Sequence, residues 1–254
     1  MTSEKVLLRV CPPTLLIVSL LLAIGCQSPG DPDAAAGLYP ARQVWAVAPP
    51  RNESGSTHVD TARVADHLAH QLELAPGIDV LPVNRTLAAM EALGMPEVVD
   101  KNAAIALRRT LGVDALVIGT VTAWEPYTPP KLGLAVELYG NDDRPWFASP
   151  ETVRALSRAA TDQMSRPVAV ETHDDQPVTA ISGYFDAASP AIRASIQRYA
   201  TQRGGHDDAA VPWRNYMLSM DLFTEYAATR VRQRLLHAEA GRLAELEAAR
   251  EGKH

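Results

Sequence analysis

Apolar side chains along this chain follow two rhythms, and the switches between them mark out its elements. In QVWAVAPP, Val44, Ala46 and Ala48 alternate with Trp45 and Val47, so both faces are apolar, and Pro49-Pro50 ends the run. That pattern predicts a strand inside a sheet, not at its edge. RNESGST reads as a loop. HVDTARVADHLAHQLEL then sets Val59, Ala62, Val64, Ala65, Leu68 and Leu72 at helical spacing, with Thr57 three residues before Asp60 as a start signal. Ala75-Pro76-Gly77 breaks this helix, and IDVLPV gives a second strand. NRTLAAMEALGM predicts a short helix ending near Gly94, and DKNAAIALRRTLG another, closed by Gly112. VDALVIGTVTAW is the strongest strand signal in the chain, nearly continuous in Val, Leu and Ile. KLGLAVELYG alternates and reads as a half-buried strand, and VTAISGYFDA, residues 178–187, as the last one.

Two further helices follow. SPAIRASIQRYAT forms one, and a long one runs from Trp213 almost to the end, with Met220, Phe223, Ala227, Val231 and Leu235 on one face. Beyond Leu236 the pattern is charged nearly all round, which predicts a tail that projects into water or pairs with something. The helical crossover between the first two strands favours parallel pairing. The short turn from Tyr127 to Lys131 favours an antiparallel hairpin. The expected class is therefore α/β: a mixed sheet of about five strands covered by helices, with a long C-terminal helix. Residues 140–176 interrupt the sheet as a polar, proline-bearing insertion with one short helix at 150–163.

The first residues change the compartment in which all this operates. Lys5 and Arg9 precede sixteen uncharged residues, Val10 to Gly25, which is the length of a signal-peptide core and short of the ~20 apolar residues that span a membrane. LLLAIGCQSPGDPD then turns from apolar to polar at a cysteine. Ala23-Ile24-Gly25-Cys26 resembles the lipobox of bacterial lipoproteins, although Ala23 stands where leucine is usual. The resemblance implies cleavage after residue 25 and lipid on Cys26; an ordinary secretory signal with an incidental cysteine is the alternative. Gln27 after the cysteine resembles the sorting signal for the outer membrane, so the expected place is the cell envelope, at the periplasmic face of the outer membrane.

The domain plan is then a lipoprotein signal peptide over 1–25 and a flexible Gly- and Pro-rich tether over 26–41. An α/β domain over 42–205 carries the 140–176 insertion, and a C-terminal helix with a polar tail covers 206–254. Cys11 is the only other cysteine and lies in the removed segment, so the mature chain has no disulfide or thiol nucleophile. The whole chain carries 24 basic and 30 acidic residues; losing Glu4, Lys5 and Arg9 leaves 22 and 29, a charge of −7. That balance argues against a nucleic-acid partner, which wants a basic face.

From Val44 to Leu138 the sequence resembles the fold group of the TolB amino-terminal domain, the soluble core of the CsgG curli channel and the LpoB activator. VWAVAPPRNESGS is similar to the group's opening strand and loop, and IDVLPVNRTLAAMEALGM to its strand, Arg, helix, Leu-Gly block. AIALRRTLGVDALVIGTVT is similar to its helix, Leu-Gly-Val-Asp, strand, Gly block. The resemblance implies an envelope lipoprotein that binds or assembles with other envelope proteins, without catalysis, and a homo-oligomer is compatible with it. A ring-forming envelope or secretion subunit is the alternative. Candidate partner contacts are Asn52 and Glu53 in the first loop, and Trp124 and Tyr127 beside the prolines of the later turn. For the two aromatics, core-edge packing is the competing reading.

Motifs for chemistry are weak. PPRNESGST lacks the spaced glycines of a dinucleotide loop and the Gly-Lys-Ser/Thr of a phosphate loop, so no cofactor is expected. No Gly-x-Ser-x-Gly elbow occurs. His67 and His70, near Asp60, Asp66 and Glu73, are three apart, whereas the metalloprotease pattern sets histidines four apart with Glu between. His173-Asp174-Asp175 and His206-Asp207-Asp208 are loop clusters that would support a metal-dependent hydrolase only if they met in space. Glu137 and Asp186 are candidate paired carboxylates, with Glu137 read on the polar side of its strand and Asp186 as a helix cap. Arg108, Arg109, Arg193, Arg198 and Arg203 read as solvated helix faces. The chain is expected not to be an enzyme and to hold no metal.

Overall fold

The computed structural model describes residues 37–39, 41–140, 177–204 and 212–251. The signal peptide, Cys26, the 141–176 part of the insertion and both His-Asp-Asp clusters lie outside them. The strands are β1 (Gln43–Val47), β2 (Arg51–Asn52), β3 (Ile78–Val80), β4 (Ala115–Glu125), β5 (Lys131–Tyr139) and β6 (Thr179–Asp186). They form one mixed sheet in the order β3-β1-β4-β5-β6, with the two-residue β2 added beside β4. β1 runs parallel to β3, as the crossover predicts, and also to β4; β4-β5 is antiparallel, as the short turn predicts, and so is β5-β6.

Two layers of helix cover the sheet. One face carries α1 (Thr61–Glu73), α4 (Pro190–Gly204), a 3-10 turn (Trp213–Met217) and α5 (Met220–Glu251). Its core joins Trp45, Val47, Leu68, Val117, Leu134, Phe185, Ile196, Phe223, Tyr226 and Leu235. The other face carries α2 (Val83–Ala92) and α3 (Lys101–Leu111) over Ala46, Ala48, Met90, Leu107, Leu116 and Tyr139. Both faces of β1 are thereby buried, which is why its alternating positions are all apolar.

Local chemistry sets the boundaries. Asp60, not Thr57, caps α1, its carboxylate accepting from Arg63 N at 2.9 Å. Asp100 does the same for Ala103 N at 2.8 Å, and Gly112 ends α3 in the left-handed region at φ 66°, where a Cβ is strained. Asp114 then turns back to β1: its Oδ2 accepts from Val44 N at 2.8 Å, and its own N donates to Val44 O at 2.8 Å. The Leu-Gly-Val-Asp run thus stops a helix and sets the register of the next strand.

Three expectations need correction. β5 is buried from Leu132 to Tyr139, because it lies between β4 and β6 and not at a half-covered edge. Glu137 is accordingly buried, not on a polar side; Tyr139 Oη donates to it at 2.7 Å, and burial raises its pKa. The helix expected from Trp213 is split: Leu218 and Ser219 interrupt it, and Leu222 N and Phe223 N bond back to Ser219 as α5 begins. Of the two expectations for the tail after Leu236, pairing holds as far as Arg242, since Glu239 is 1% exposed and bonded on both oxygens.

Candidate protein-contact site

The parallel register of β2 on β4, Asn52 opposite Val121, carries the loop after Asn52 along the last residues of β4. The β4-β5 turn therefore emerges at the same end of the sheet as this loop. β6 and the first turn of α4 meet there too, since Asp186 lies opposite Lys131 and Ala187 N donates to Pro130 O. α1 begins at this end, and Arg63 and His67 hold Asp221 of the first turn of α5 there.

Asn52 organises its loop internally. Its Oδ1 accepts from Ser54 N (3.2 Å) and Ser54 Oγ (2.7 Å), and its Nδ2 donates to Ser56 O (2.7 Å). Gly55 sits at φ 75° in open space, as the turn requires. Glu53 N donates to Val121 O, and its carboxylate meets Arg51 at 2.9 Å; Arg51 also reaches Glu97 at 3.7 Å. Asn52 and Glu53 are exposed, so this loop is a shaped surface and not a floppy connection.

The two turn aromatics divide. Trp124 packs on the main core, and its indole N–H is buried without a hydrogen-bond partner. Tyr127 is 78% exposed. Leu218, at the break before α5, is 68% exposed at the same end and escaped the sequence reading. Lys131 pairs with Glu125 at 2.9 Å, which raises its pKa. Tyr127 and Leu218 thus stand out among groups that are already paired.

Among the described residues the candidates for chemistry do not assemble. Glu137 lies opposite Ala180 and Asp186 opposite Lys131, six residues away along β5, or about 20 Å. Asp186 Oδ1 accepts from Ala188 N at 2.8 Å, in the turn before α4. His67 Nε2 sits 2.8 Å from Asp221, while His70 lines a pocket of about 430 Å³ with Asp66 and Glu73. Among the described residues, no three His, Cys, Asp or Glu side chains are grouped to hold a metal ion. Arg108 and Arg193 donate to backbone carbonyls, and Arg203 pairs with Glu225 at 2.6 Å. No described helix is long and apolar enough to cross a membrane.

Asp221 joins two helices at this end. Arg63 donates to both its oxygens, at 2.7 and 3.0 Å, and this bonding, with His67 adding to it, lowers its pKa from 3.8 to about 2. Asp221→Asn should cost about 1 kcal/mol at pH 7. The shift alone would give about twice that, and a side chain 44% exposed is screened by water. A depressed carboxylate stabilises above its unfolded pKa and loses that contribution as pH falls through its folded one. The gap between wild type and variant in urea unfolding should therefore close between about pH 4 and pH 2; a gap that stays constant would contradict it.

No protein-family model matches the chain, and no curated protein sequence matches it. Among solved structures it is similar to the LpoB C-terminal domain from Salmonella enterica, with 16% identity over 50% of this chain and 82% of that one, at a TM-score of 0.33. It is similar to lipoprotein GNA1162 from Neisseria meningitidis, with 17% identity over 66% of this chain and 99% of that one, at 0.37. It is also similar to a PelC dodecamer from Paraburkholderia phytofirmans, with 13% identity over 39% and 61% of the two chains, at 0.25. At such scores no function passes from them to this chain, and its architecture stands on its own strand order and registers.

Proposed function

We propose that this chain is a lipid-anchored protein of the bacterial envelope that acts as a non-catalytic binding or assembly module. Its contact surface is the sheet end built from the Asn52 loop, the Tyr127 turn and the start of α5. Cys26 carries the lipid, residues 1–25 are the removed signal peptide, and the periplasmic face of the outer membrane is where the domain works. The observation that carries the reading is the pair Tyr127 and Leu218, large side chains left 78% and 68% exposed at one end. Aromatic side chains of this kind anchor protein interfaces. Asn52 and Glu53 supply a preorganised polar rim, and Trp124 supports the turn from below.

Polarity strengthens it. Tyr39, four residues before β1, bonds Glu239 near the start of β6, at the opposite end of the sheet. Tyr127 thus lies at the sheet end away from the one where Tyr39 is held. Palmitate should label the wild type and not Cys26→Ser, and the variant should leave the membrane fraction; equal labelling ends the anchoring part. A photo-reactive residue at position 127 should capture an envelope protein in cells, whereas one at Leu74, exposed at the far end of α1, should not. Capture at Leu74 alone sinks the proposed surface.

A further inference from the structure

The two edges of the sheet are treated differently. β3 has three residues, and its outward Val80 N–H is taken by the Glu73 carboxylate at 2.6 Å. β6 has eight residues, without proline, lysine or a bulge against β5. The bond from Ala187 N to Pro130 O fixes the phase of the β5-β6 ladder. Odd-numbered β6 residues exchange bonds with β5, and even-numbered ones aim N–H and C=O outward. Ser182 O, one of the outward groups, accepts from Arg234 Nη1 at 3.2 Å, and Asp186 O accepts from Ser189 N. Among the described residues nothing bonds the outward backbone groups of Ala180 and Tyr184 or the Ser182 N–H. An edge left this long and regular is a template for another strand.

We infer that β6 pairs antiparallel with β6 of a second copy of this chain, about a two-fold axis at Ser182, where each carbonyl oxygen accepts the partner's N–H on the lone pair that Arg234 leaves free. That register sets Ala180 opposite the partner's Tyr184 and Ser182 opposite its own copy, so that a small side chain faces a large one on each side of the axis. The lone charge of the strand, Asp186, falls opposite the partner's Val178, and no like charges meet. A strand from an unrelated protein has no reason to offer this self-complementary alternation. The pairing is isologous and closes at two, joining two sheets into one, and it does not build a ring. It uses neither the lipid anchor nor the Tyr127 surface, so it stands or falls apart from them.

Position 180 gives the decisive variant, because its N–H points outward and proline there removes no bond to β5. Light scattering of the detergent-extracted full chain should give twice the single-chain polypeptide mass. Ala180→Pro, and Ser182→Lys, which sets two ammonium groups face to face at the axis, should each halve it while far-UV circular dichroism stays unchanged. If Ala180→Pro fails to fold, Ser182→Lys decides. A wild type at single-chain mass overturns the inference, with or without another protein bound to it. So does either variant, folded, that keeps the doubled mass.

Discussion

Replacing Glu239 by alanine should cost the domain about 3 kcal/mol, far beyond the ±0.5 or so of an ordinary helix-surface change. In sequence the residue sits in a run charged on every side, where a substitution looks harmless. In the fold its carboxylate is 1% exposed and shared among three elements. Oε1 accepts from Tyr39 Oη at 2.9 Å and Arg242 Nη2 at 2.6 Å. Oε2 accepts from Thr179 Oγ1 at 2.6 Å and Arg242 Nε at 2.8 Å. Hydrogen bonds to a charged group contribute about 1.5–3 kcal/mol each, well below additively in a network, and the buried Thr179 hydroxyl is stranded when the acceptor goes. Glu239→Gln keeps the volume and one acceptor, so it should lose about half as much; Thr179→Val should lose about 1 kcal/mol. Guanidinium unfolding measures all three. Because Tyr39 is held by the same carboxylate, trypsin should also cut the alanine variant faster at Arg42. An alanine variant within ±0.5 kcal/mol of wild type, with unchanged cleavage, would mean that the carboxylate holds nothing.

The same residue shows where sequence reading stops. Glu239 has partners 60 and 200 positions away, and no local periodicity encodes either. Glu137 misleads for a related reason: a carboxylate in an alternating strand looks solvated until the strand is found between two others, β4 and β6, whose places distant pairings decide. Leu218 is a single apolar residue between two helices, with no pattern to mark it as exposed. What sequence does encode is what neighbours decide among themselves. The nearly continuous apolar run of β4, the helical stripe of α1, the stripe Phe223-Ala227-Val231-Leu235 and the stop at Gly112 are all local, and all lie in the fold as expected. For the candidate site, the Asn52 loop and the Tyr127 turn were legible as separate turns. Their shared end follows from the parallel pairing of β1 and of the two-residue β2 with β4, contacts some 70 positions apart in sequence.

Trp45 carries the other large expectation, and its value is in a contrast. The side chain is 0% exposed, on a strand flanked by β3 and β4, with the Tyr39 ring edge-on at 6.1 Å. Truncation to alanine empties an indole-sized space that β1, held on both sides, does not collapse to fill, so it should cost about 4 kcal/mol. Phenylalanine should behave differently. It forfeits part of the packing, but it also removes an indole N–H that is buried with no acceptor, and leaving such a donor unsatisfied costs about 1–3 kcal/mol. The two terms oppose, so Trp45→Phe should fall within about 1 kcal/mol of wild type. Chemical unfolding of the two variants side by side separates packing from polarity at a single position. Should phenylalanine cost nearly as much as alanine, the indole N–H has found a partner in the folded protein. Residue 45 would then be held by a bond as well as by shape, and the entry of the chain into its sheet would be fixed in direction, not merely packed.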